Sequence, residues 1–403
     1  MRIGKFAEQN GLSIDTLRHY MELGLLFPEK KGGQYDFDES CQHDLENVLE
    51  LKEMGFSLNE IKIIKTFNSL GILSPYEENA HYQALFREKS RKTQQEIDIL
   101  LQAKEKLDSK IDTYNKKTAQ KAVSLGVALK NLDFLICLNC GEELSLENGT
   151  IHKNQVMDGE LVCRCGGNYL IESGILIAGN PVEWGSIGEG DVYEYILQTD
   201  KEYLENIQRG LQLIKRRIEG MDLEGKAILE LGTGIGFLLR TIYGELPDNC
   251  VYIAVDHDLE KLKLVRSMLG NTGIRKNILF ICTDFSGIPV KAGTVDVILD
   301  HAGTSNYSFG ESEFLLRKID HLTSREASLI GTYIIFKNFS INSKVPPGFR
   351  RLFKQENIRS ELEWLGFAIQ EEKESNFVQK GGPHENYFVQ GEKVYSYMCV
   401  AKR

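Results

Sequence analysis

The residues best able to do chemistry sit in two groups. The first is Gly232-Thr233-Gly234-Ile235-Gly236, which follows the apolar run Ala227-Ile228-Leu229-Glu230-Leu231. A buried strand leading into three alternate glycines lets the backbone turn sharply and approach a ligand without Cβ clash. Such a loop by itself serves dinucleotides as well as other adenosine cofactors. A second strand-like run, Val251-Tyr252-Ile253-Ala254-Val255, ends in Asp256, 20 residues beyond Gly236. An acid at that point can accept both ribose hydroxyls, a demand shared with NAD. The second group is Cys137-Leu138-Asn139-Cys140 and Cys163-Arg164-Cys165, a CxxC and a CxC separated by 22 residues. Two short knuckles on opposing hairpins place four thiolates tetrahedrally, which suits a structural Zn²⁺ with no open coordination position. Redox thiols, or a site that has lost its metal, are the alternative readings. His152 lies in the gap and is expected at the surface. The other cysteines, Cys41, Cys250, Cys282 and Cys399, read as reduced, partly buried thiols.

Elements that position these groups follow from the pattern. A chain of 403 residues requires more than one domain. Residues 190–403 alternate apolar strands with amphipathic helices, the signature of an α/β sheet. Residues 130–180 hold the cysteines. Residues 76–120 are charged and glycine-free, with Ile97, Leu100, Leu107, Ile111 and Tyr114 at alternating three- and four-residue steps. Lys104 occupies the missing slot, and the whole reads as a coiled-coil seam. Residues 1–75 are short helices separated by tight turns: a helix ending at Gly11, a Ser13 N-cap and a second helix through Tyr20, ended by Gly24 and Pro28. Lys30-Lys31-Gly32-Gly33-Gln34-Tyr35 forms a glycine hairpin, and Ser57 with Glu60 forms a capping box. Helix, turn, helix and wing offer the second helix to a DNA major groove.

These N-terminal residues resemble the MerR family of transcription regulators. The matching motifs are Leu17-Arg18-His19-Tyr20-Met21-Glu22-Leu23-Gly24-Leu25-Leu26, the Tyr35 wing and Met54-Gly55-Phe56-Ser57-Leu58-Asn59-Glu60-Ile61. The resemblance implies a winged helix-turn-helix homodimer on double-stranded promoter DNA, with Thr16, Arg18, Tyr20 and Tyr35 near phosphates or bases and 76–120 as an antiparallel dimerisation helix. Asp36 stands where the family usually has arginine. Residues 1–75 carry eight Lys/Arg against twelve Asp/Glu, a net of −4, so the module either concentrates its cations at Arg18, Lys30 and Lys31 to neutralise phosphates or binds DNA weakly.

The C-terminal half resembles class I S-adenosylmethionine-dependent methyltransferases. The resemblance rests on Glu230 ahead of the glycines, Asp284-Phe285 after the strand Ile278–Cys282, the run Val295–His301, the run Ser328–Phe336, and a closing hairpin that ends in Tyr395–Ala401. It implies a seven-stranded Rossmann-like sheet. Glu230, Gly232, Gly234 and Gly236 would take the methionine side of S-adenosylmethionine, Asp256 and His257 the ribose, and Asp284 and Phe285 the adenine. Asp300 and His301 end the fourth strand, where substrate is expected, and His301 is the candidate base. Pro181–Gly185 and the stretch from Asn338 to Phe353 are candidate covers. Residues 130–180 are similar to zinc-ribbon modules that precede some methyltransferases.

The fold class expected is therefore multidomain: an all-α winged helix-turn-helix with a dimerisation helix, a small zinc ribbon, and an α/β class I methyltransferase domain. The function expected is a DNA-binding regulator that methylates a small molecule. Two alternatives stand beside it: a regulator whose methyltransferase fold only senses S-adenosylmethionine or another effector, and an RNA methyltransferase. The net charge of −10 weighs against the last. No apolar run is long enough for a membrane span, and the N-terminus lacks a signal-peptide core, so a cytoplasmic location is expected.

Overall fold

The computed structural model describes residues 1–69, 74–117, 122–179, 189–382, 385 and 387–403. Pro181–Gly185, the candidate cofactor cover, lies outside the described residues. The chain forms two compact units, 1–119 and 120–403.

In the first unit, α1 (Ile3–Gln9) and α2 (Ile14–Glu22) are followed by the wing strands β1 (Glu29–Lys31) and β2 (Gln34–Asp36), then α3 (Glu39–Glu53), α4 (Leu58–Ser69) and α5 (Pro75–Lys117). Ser13 caps α2 by accepting Thr16 N–H at 3.0 Å. The wing turns through Gly32 and Gly33 at φ 58° and 81°. That backbone matches the twist of a two-residue hairpin and pairs Lys30 with Tyr35. Ser57 and Glu60 close their capping box, with Ser57 N–H on Glu60 Oε2 at 2.7 Å and Glu60 N–H on Ser57 Oγ at 3.3 Å. Phe6, Leu17, Tyr20, Leu25, Phe37, Leu45, Val48 and Ile61 make the core. The start of α5 belongs to this unit as well: Tyr82 and Leu85 pack on the core and Phe86 meets Phe56 edge-on.

The second unit begins with β3 (Val127–Ala128), β4 (Ser145–His152), β5 (Gln155–Val162), β6 (Asn168–Glu172) and β7 (Ile175–Ile177). Next come α6 (Glu189–Gln198), α7 (Lys201–Glu219), β8 (Ala227–Leu231), α8 (Phe237–Ile242), β9 (Val251–Asp256), α9 (Leu259–Gly270), β10 (Ile278–Cys282) and β11 (Val295–His301). The chain closes with α10 (Gly303–Tyr307), α11 (Leu315–Ile319), β12 (Thr323–Asn338), α12 (Gln355–Trp364), β13 (Ala368–Glu374) and β14 (Lys393–Lys402). One sheet runs β13-β14-β12-β11-β8-β9-β10-β7-β6-β5-β3, with β4 also on β5. From β8 to β12 the strands are parallel, and β14 inserts antiparallel between β12 and β13. Taken in chain order, the strands from β8 on stand 6-7-5-4-1-2-3. The expected sheet does not stop at seven strands, however. β7 of the cysteine module pairs parallel with β10, so the module extends the sheet rather than standing as a separate ribbon.

The sheet buries both faces, as parallel strands require. Ile228, Tyr252 and Phe280 meet Ile214, Leu239 and Leu262 on one side; Leu229, Ile253 and Leu279 share the other core with Leu316 and Leu362. After β8 the chain steps outward to β9 and β10, then crosses back to β11 on β8's other flank. Ligands of open α/β sheets bind at the carboxyl ends of strands where the order reverses, here between β8 and β11.

Candidate functional site

The carboxyl end of β8 carries the glycine loop. Gly232, Gly234 and Gly236 have φ of 71°, 55° and 78°, so all three positions require left-handed backbone. Gly232 and Thr233 donate their N–H groups to Val255 O, which ties the loop to β9. A Cβ on Gly236 would lie 2.7 Å from Val265, so the third glycine lets α8 settle against α9. A Cβ on Gly232 would meet Gly303 Cα at 3.4 Å and Phe285 Cζ at 3.8 Å. The loop, the start of α10 and the Phe285 ring therefore converge on one small volume. Gly303 is held closer still, since its Cβ would fall 2.1 Å from Leu231 O. Just before it, Ala302 adopts φ 62°. Left-handed backbone at a non-glycine residue stores roughly 1–3 kcal/mol and persists where surroundings impose it, commonly at functional sites.

Three acids surround this volume. Asp256 is buried; one oxygen accepts Gly234 N–H at 2.7 Å and the other Asp258 N–H at 3.0 Å. His257 extends outward from the same strand end, its Nδ1 3.6 Å from Asp256 Oδ1. Asp284 is exposed and accepts Ser286 N–H at 2.8 Å, forming the turn that presents Phe285; that ring meets Tyr307 edge-on at 5.9 Å. Glu230 is buried beneath the loop, and Glu230 Oε2, Thr233 Oγ1 and the Tyr252 hydroxyl complete no hydrogen bond among the described residues. The two hydroxyls lie near the Glu230 carboxyl without completing hydrogen-bond geometry, an unusual arrangement for buried polar atoms.

Burial pushes the Glu230 carboxyl up to about 7, against the Thr233 and Tyr252 hydroxyls and with help from the Asp256 charge. An ordinary glutamate titrates near 4.5. Between those values the folded chain keeps a proton that the unfolded chain releases. Folding stability therefore falls as pH rises from about 4.5, and the loss of about 3 kcal/mol is complete above pH 7. A cation brought beside Glu230 reverses the shift and expels the proton. Binding of such a ligand at pH 6 should release a proton, seen by calorimetry in buffers of different ionisation enthalpy, and Glu230→Gln should abolish the release.

Asp300 and His301 do not form an acid–base pair. They alternate across β11. Asp300 is fully buried and accepts both Thr304 N–H at 3.0 Å and Thr304 Oγ1–H at 2.5 Å, and burial raises its carboxyl to about 6. It caps α10 and holds the Ala302–Gly303 turn, with both carboxyl oxygens engaged by Thr304. His301 turns to the other face, where its Nε2 lies 3.4 Å from Ile207 O of α7; burial lowers its pKa and favours the neutral imidazole. It lines a cavity of about 30 Å³ with Tyr203, Asn206, Thr332, Tyr395 and Ser396. Several polar contacts here carry no spacing signal in the sequence. Tyr195 donates to Glu385 at 2.7 Å, Tyr203 bonds Tyr387 at 2.9 Å, and Tyr195 packs on Phe237 at 5.8 Å, bringing α6 against the end of the glycine loop. The stretch from Asn338 to Phe353 ends in a 3₁₀ turn whose Phe353 packs on Phe309 and Phe336.

The four cysteine sulfurs of the second group all lie within 4.8 Å of one another. Cys137 and Cys165 are 3.5 Å apart, and Cys140 and Cys163 3.4 Å. A tetrahedral Zn²⁺ with bonds of about 2.3 Å needs sulfurs about 3.8 Å apart, so the set fits that ion. Gly141 N–H bonds Cys137 O and Gly166 N–H bonds Cys163 O, with both glycines at positive φ, closing the two knuckles. A Cβ on Gly167 would touch Cys137 Sγ at 2.7 Å. Burial opposes ionisation of Cys137, but the Asn139 N–H and the Tyr169 hydroxyl outweigh it and lower the thiol to about 6. His152 is exposed, and Cys41, Cys250, Cys282 and Cys399 are free and buried.

On the first unit, Arg18 projects from α2 into solvent with Nη1 3.3 Å from Asp15. Thr16 shares its hydroxyl with Ser13 at 2.8 Å. Tyr35 is exposed on the wing with Lys30 over its ring at 5.4 Å. Asp36 is engaged by Lys31 at 3.4 Å and by the Met1 amino group at 2.7 Å. Tyr20 departs from expectation: it is 1% exposed and its hydroxyl accepts Lys52 Nζ at 3.1 Å, because its ring completes the core between α2 and α3. Tyr20→Phe should therefore leave DNA affinity unchanged and cost about 1 kcal/mol of stability in thermal melts.

A model of the MerR HTH family of regulatory proteins matches residues 1–67. The HTH-type transcriptional regulator HmrR of Rhizobium leguminosarum bv. viciae is 30% identical over 99 residues, which cover 24% of this chain and 70% of HmrR. The chain belongs to the MerR family. Nodulation protein NolA of Bradyrhizobium elkanii is 38% identical over 63 residues, 15% of this MerR-family chain and 29% of NolA, so the chain spans under a third of that relative's length. Among solved structures, a SAM-dependent methyltransferase from Aquifex aeolicus aligns over 53% of the chain and 99% of its own length, with 17% identity and a TM-score of 0.34. No helix among the described residues is long and apolar enough to cross a membrane.

Proposed function

We propose that this MerR-family chain is a dimeric DNA-binding regulator whose second unit binds S-adenosylmethionine and methylates a small molecule. The observation that carries the cofactor reading is the strand order 6-7-5-4-1-2-3, with the glycine loop at its switch point and buried Glu230 beneath it. An antiparallel β14 between β12 and β13 closes the sheet in a way simple dinucleotide folds do not. Glu230 and the glycine loop would hold the methionine end, Asp256 and His257 the ribose, and Asp284 and Phe285 the adenine. The cofactor supplies an electrophilic methyl group; the chain's task is to align the acceptor with it. Asp300 positions α10 and the Ala302–Gly303 turn at that point. His301, kept neutral by burial, is the base available to an acceptor entering from the α7 face.

In the first unit, Arg18 and Thr16 on α2, with Tyr35 and Lys30 on the wing, make the DNA-facing set. The exposed Ile97, Leu100, Leu107, Ile111 and Tyr114 of α5 make the homodimer seam. The cysteine module holds a structural zinc ion. The test is calorimetric titration with S-adenosylhomocysteine together with transfer of labelled methyl into small-molecule extract fractions. Tight binding with His301-dependent transfer supports the reading. Binding without transfer reduces the second unit to a sensor, and no binding removes the cofactor assignment. A footprint on the chain's own upstream DNA that vanishes in Arg18→Ala tests the regulator half.

A further inference from the structure

The cysteine module forms one wall of the turn assigned to adenine. β7 ends at Ile177, and Ala178 continues beside β10: its N–H bonds Cys282 O at 3.0 Å and its carbonyl accepts the Thr283 hydroxyl at 2.7 Å. The same hydroxyl lies 3.1 Å from Gly287 O, so Thr283 closes the turn Asp284–Gly287 onto the module. A Cβ on Gly287 would strike Thr283 Oγ1 at 2.7 Å, which shows how tightly the turn is drawn in. The far side of the turn is fastened too. Ile136 N–H bonds Pro289 O at 3.1 Å, Lys291 N–H bonds Phe134 O at 2.8 Å, and Leu135 bridges Val290. Ile136 adjoins Cys137. Cys163 adjoins the end of β5, and Cys165 leads into β6, which pairs with β7. Leu135, Cys137, Cys163, Leu176, Ala178, Ile281, Ile288 and Val290 belong to one continuous core.

Both anchors of residues 283–291 thus come from a module whose strand ends are fixed by four sulfurs. The module shares the core of the larger sheet, and a metal bound across its two knuckles would add ordering free energy to the strand ends they join. We propose that zinc at Cys137, Cys140, Cys163 and Cys165 sets the affinity of the cofactor site through Ala178 and Thr283, which act as positioning residues for the adenine turn. This rests on the cofactor reading above. Loss of the metal loosens 134–137 and 176–178, releases the Asp284–Gly287 turn and weakens the adenosine end, while β8, β9 and the glycine loop stay folded.

The experiment uses the full chain in three forms: zinc-loaded, chelator-treated, and zinc-loaded Thr283→Val. Metal content, amide deuterium uptake and S-adenosylhomocysteine affinity are measured on each. Chelation should raise uptake at 283–291 with 227–256 still protected, and weaken S-adenosylhomocysteine about tenfold, within the usual range for coupled sites. Thr283→Val should weaken it comparably with metal content unchanged. If chelation exposes 227–256 as well, the Thr283→Val comparison decides alone. Unchanged affinity in Thr283→Val, or unchanged uptake at 283–291 in metal-free protein, overturns the coupling. Failure of the zinc-loaded wild type to bind S-adenosylhomocysteine would instead remove the cofactor reading, with deuterium uptake still reporting whether metal and turn are linked.

Discussion

Asp256→Ala should eliminate measurable S-adenosylhomocysteine binding while leaving the DNA-binding unit intact. The carboxylate does two things at once. It fixes the glycine loop by accepting Gly234 N–H at 2.7 Å and fixes the start of α9 by accepting Asp258 N–H at 3.0 Å. It also occupies the end of β9, where the proposed cofactor reading puts the ribose. Hydrogen bonds to a charged acceptor are worth about 1.5–3 kcal/mol each, so losing both backbone contacts removes about 3–6 kcal/mol of order from the loop. That alone weakens a ligand by more than about a hundredfold. Asp256→Asn separates the roles: its amide oxygen keeps one backbone contact, but its NH₂ group cannot accept the other N–H. Calorimetry should rank wild type, Asn and Ala in that order. Equal affinity for all three would show that the ligand does not reach β9.

The glycine loop, the acids and the cysteines were legible because each depends on local spacing. Three glycines at alternate positions need left-handed backbone, and two knuckles need tight turns after their cysteines; both demands are satisfied within a few residues. Asp300 shows the limit. Its position at the end of β11 follows from sequence, but its orientation depends on strand parity and on Thr304, which turns it into a cap. Tyr20 shows it again: an aromatic on a recognition-type helix reads as a DNA contact until Lys52 on α3 is seen to close over it. Residue type cannot distinguish these outcomes, because each is decided by a partner distant in the chain. The fusion of the cysteine module to the sheet was hidden for the same reason. β7 is three residues long, and pairing between Ile175–Ile177 and Phe280–Cys282 spans about a hundred positions. The Tyr195–Glu385 and Tyr203–Tyr387 contacts reach further still.

Leu100→Glu should convert the protein to a monomer and remove its DNA footprint. α5 is 43 residues long, and beyond its first turns, which pack on α4 and the core, Ile97, Leu100, Leu107 and Ile111 turn their apolar side chains to the surface of the first unit. Leu100 is 68% exposed, Leu107 64% and Tyr114 65%, spaced as one stripe with Ile97 and Ile111. Exposed leucines in a continuous seam are unusual on a monomer, and the heptad spacing specifies another helix as the cover. In an antiparallel pair centred between Glu105 and Lys106, Leu100 faces Ile111 of a second copy and Ile97 faces Tyr114. Lys104 then sits opposite Leu107 with Asp108 bonded along its own helix at 2.6 Å, which lets its ammonium leave the seam at the edge. A glutamate at 100 loses at least about 3 kcal/mol of burial and enters the seam twice in a symmetric dimer. The dimer dissociation constant should rise roughly ten-thousandfold. Sedimentation at micromolar concentration measures the change. Lys104→Leu should move the constant the other way, since it completes the apolar stripe. A monomeric wild type, or a Leu100→Glu variant that remains dimeric, would mean that the stripe is covered by something other than a second α5.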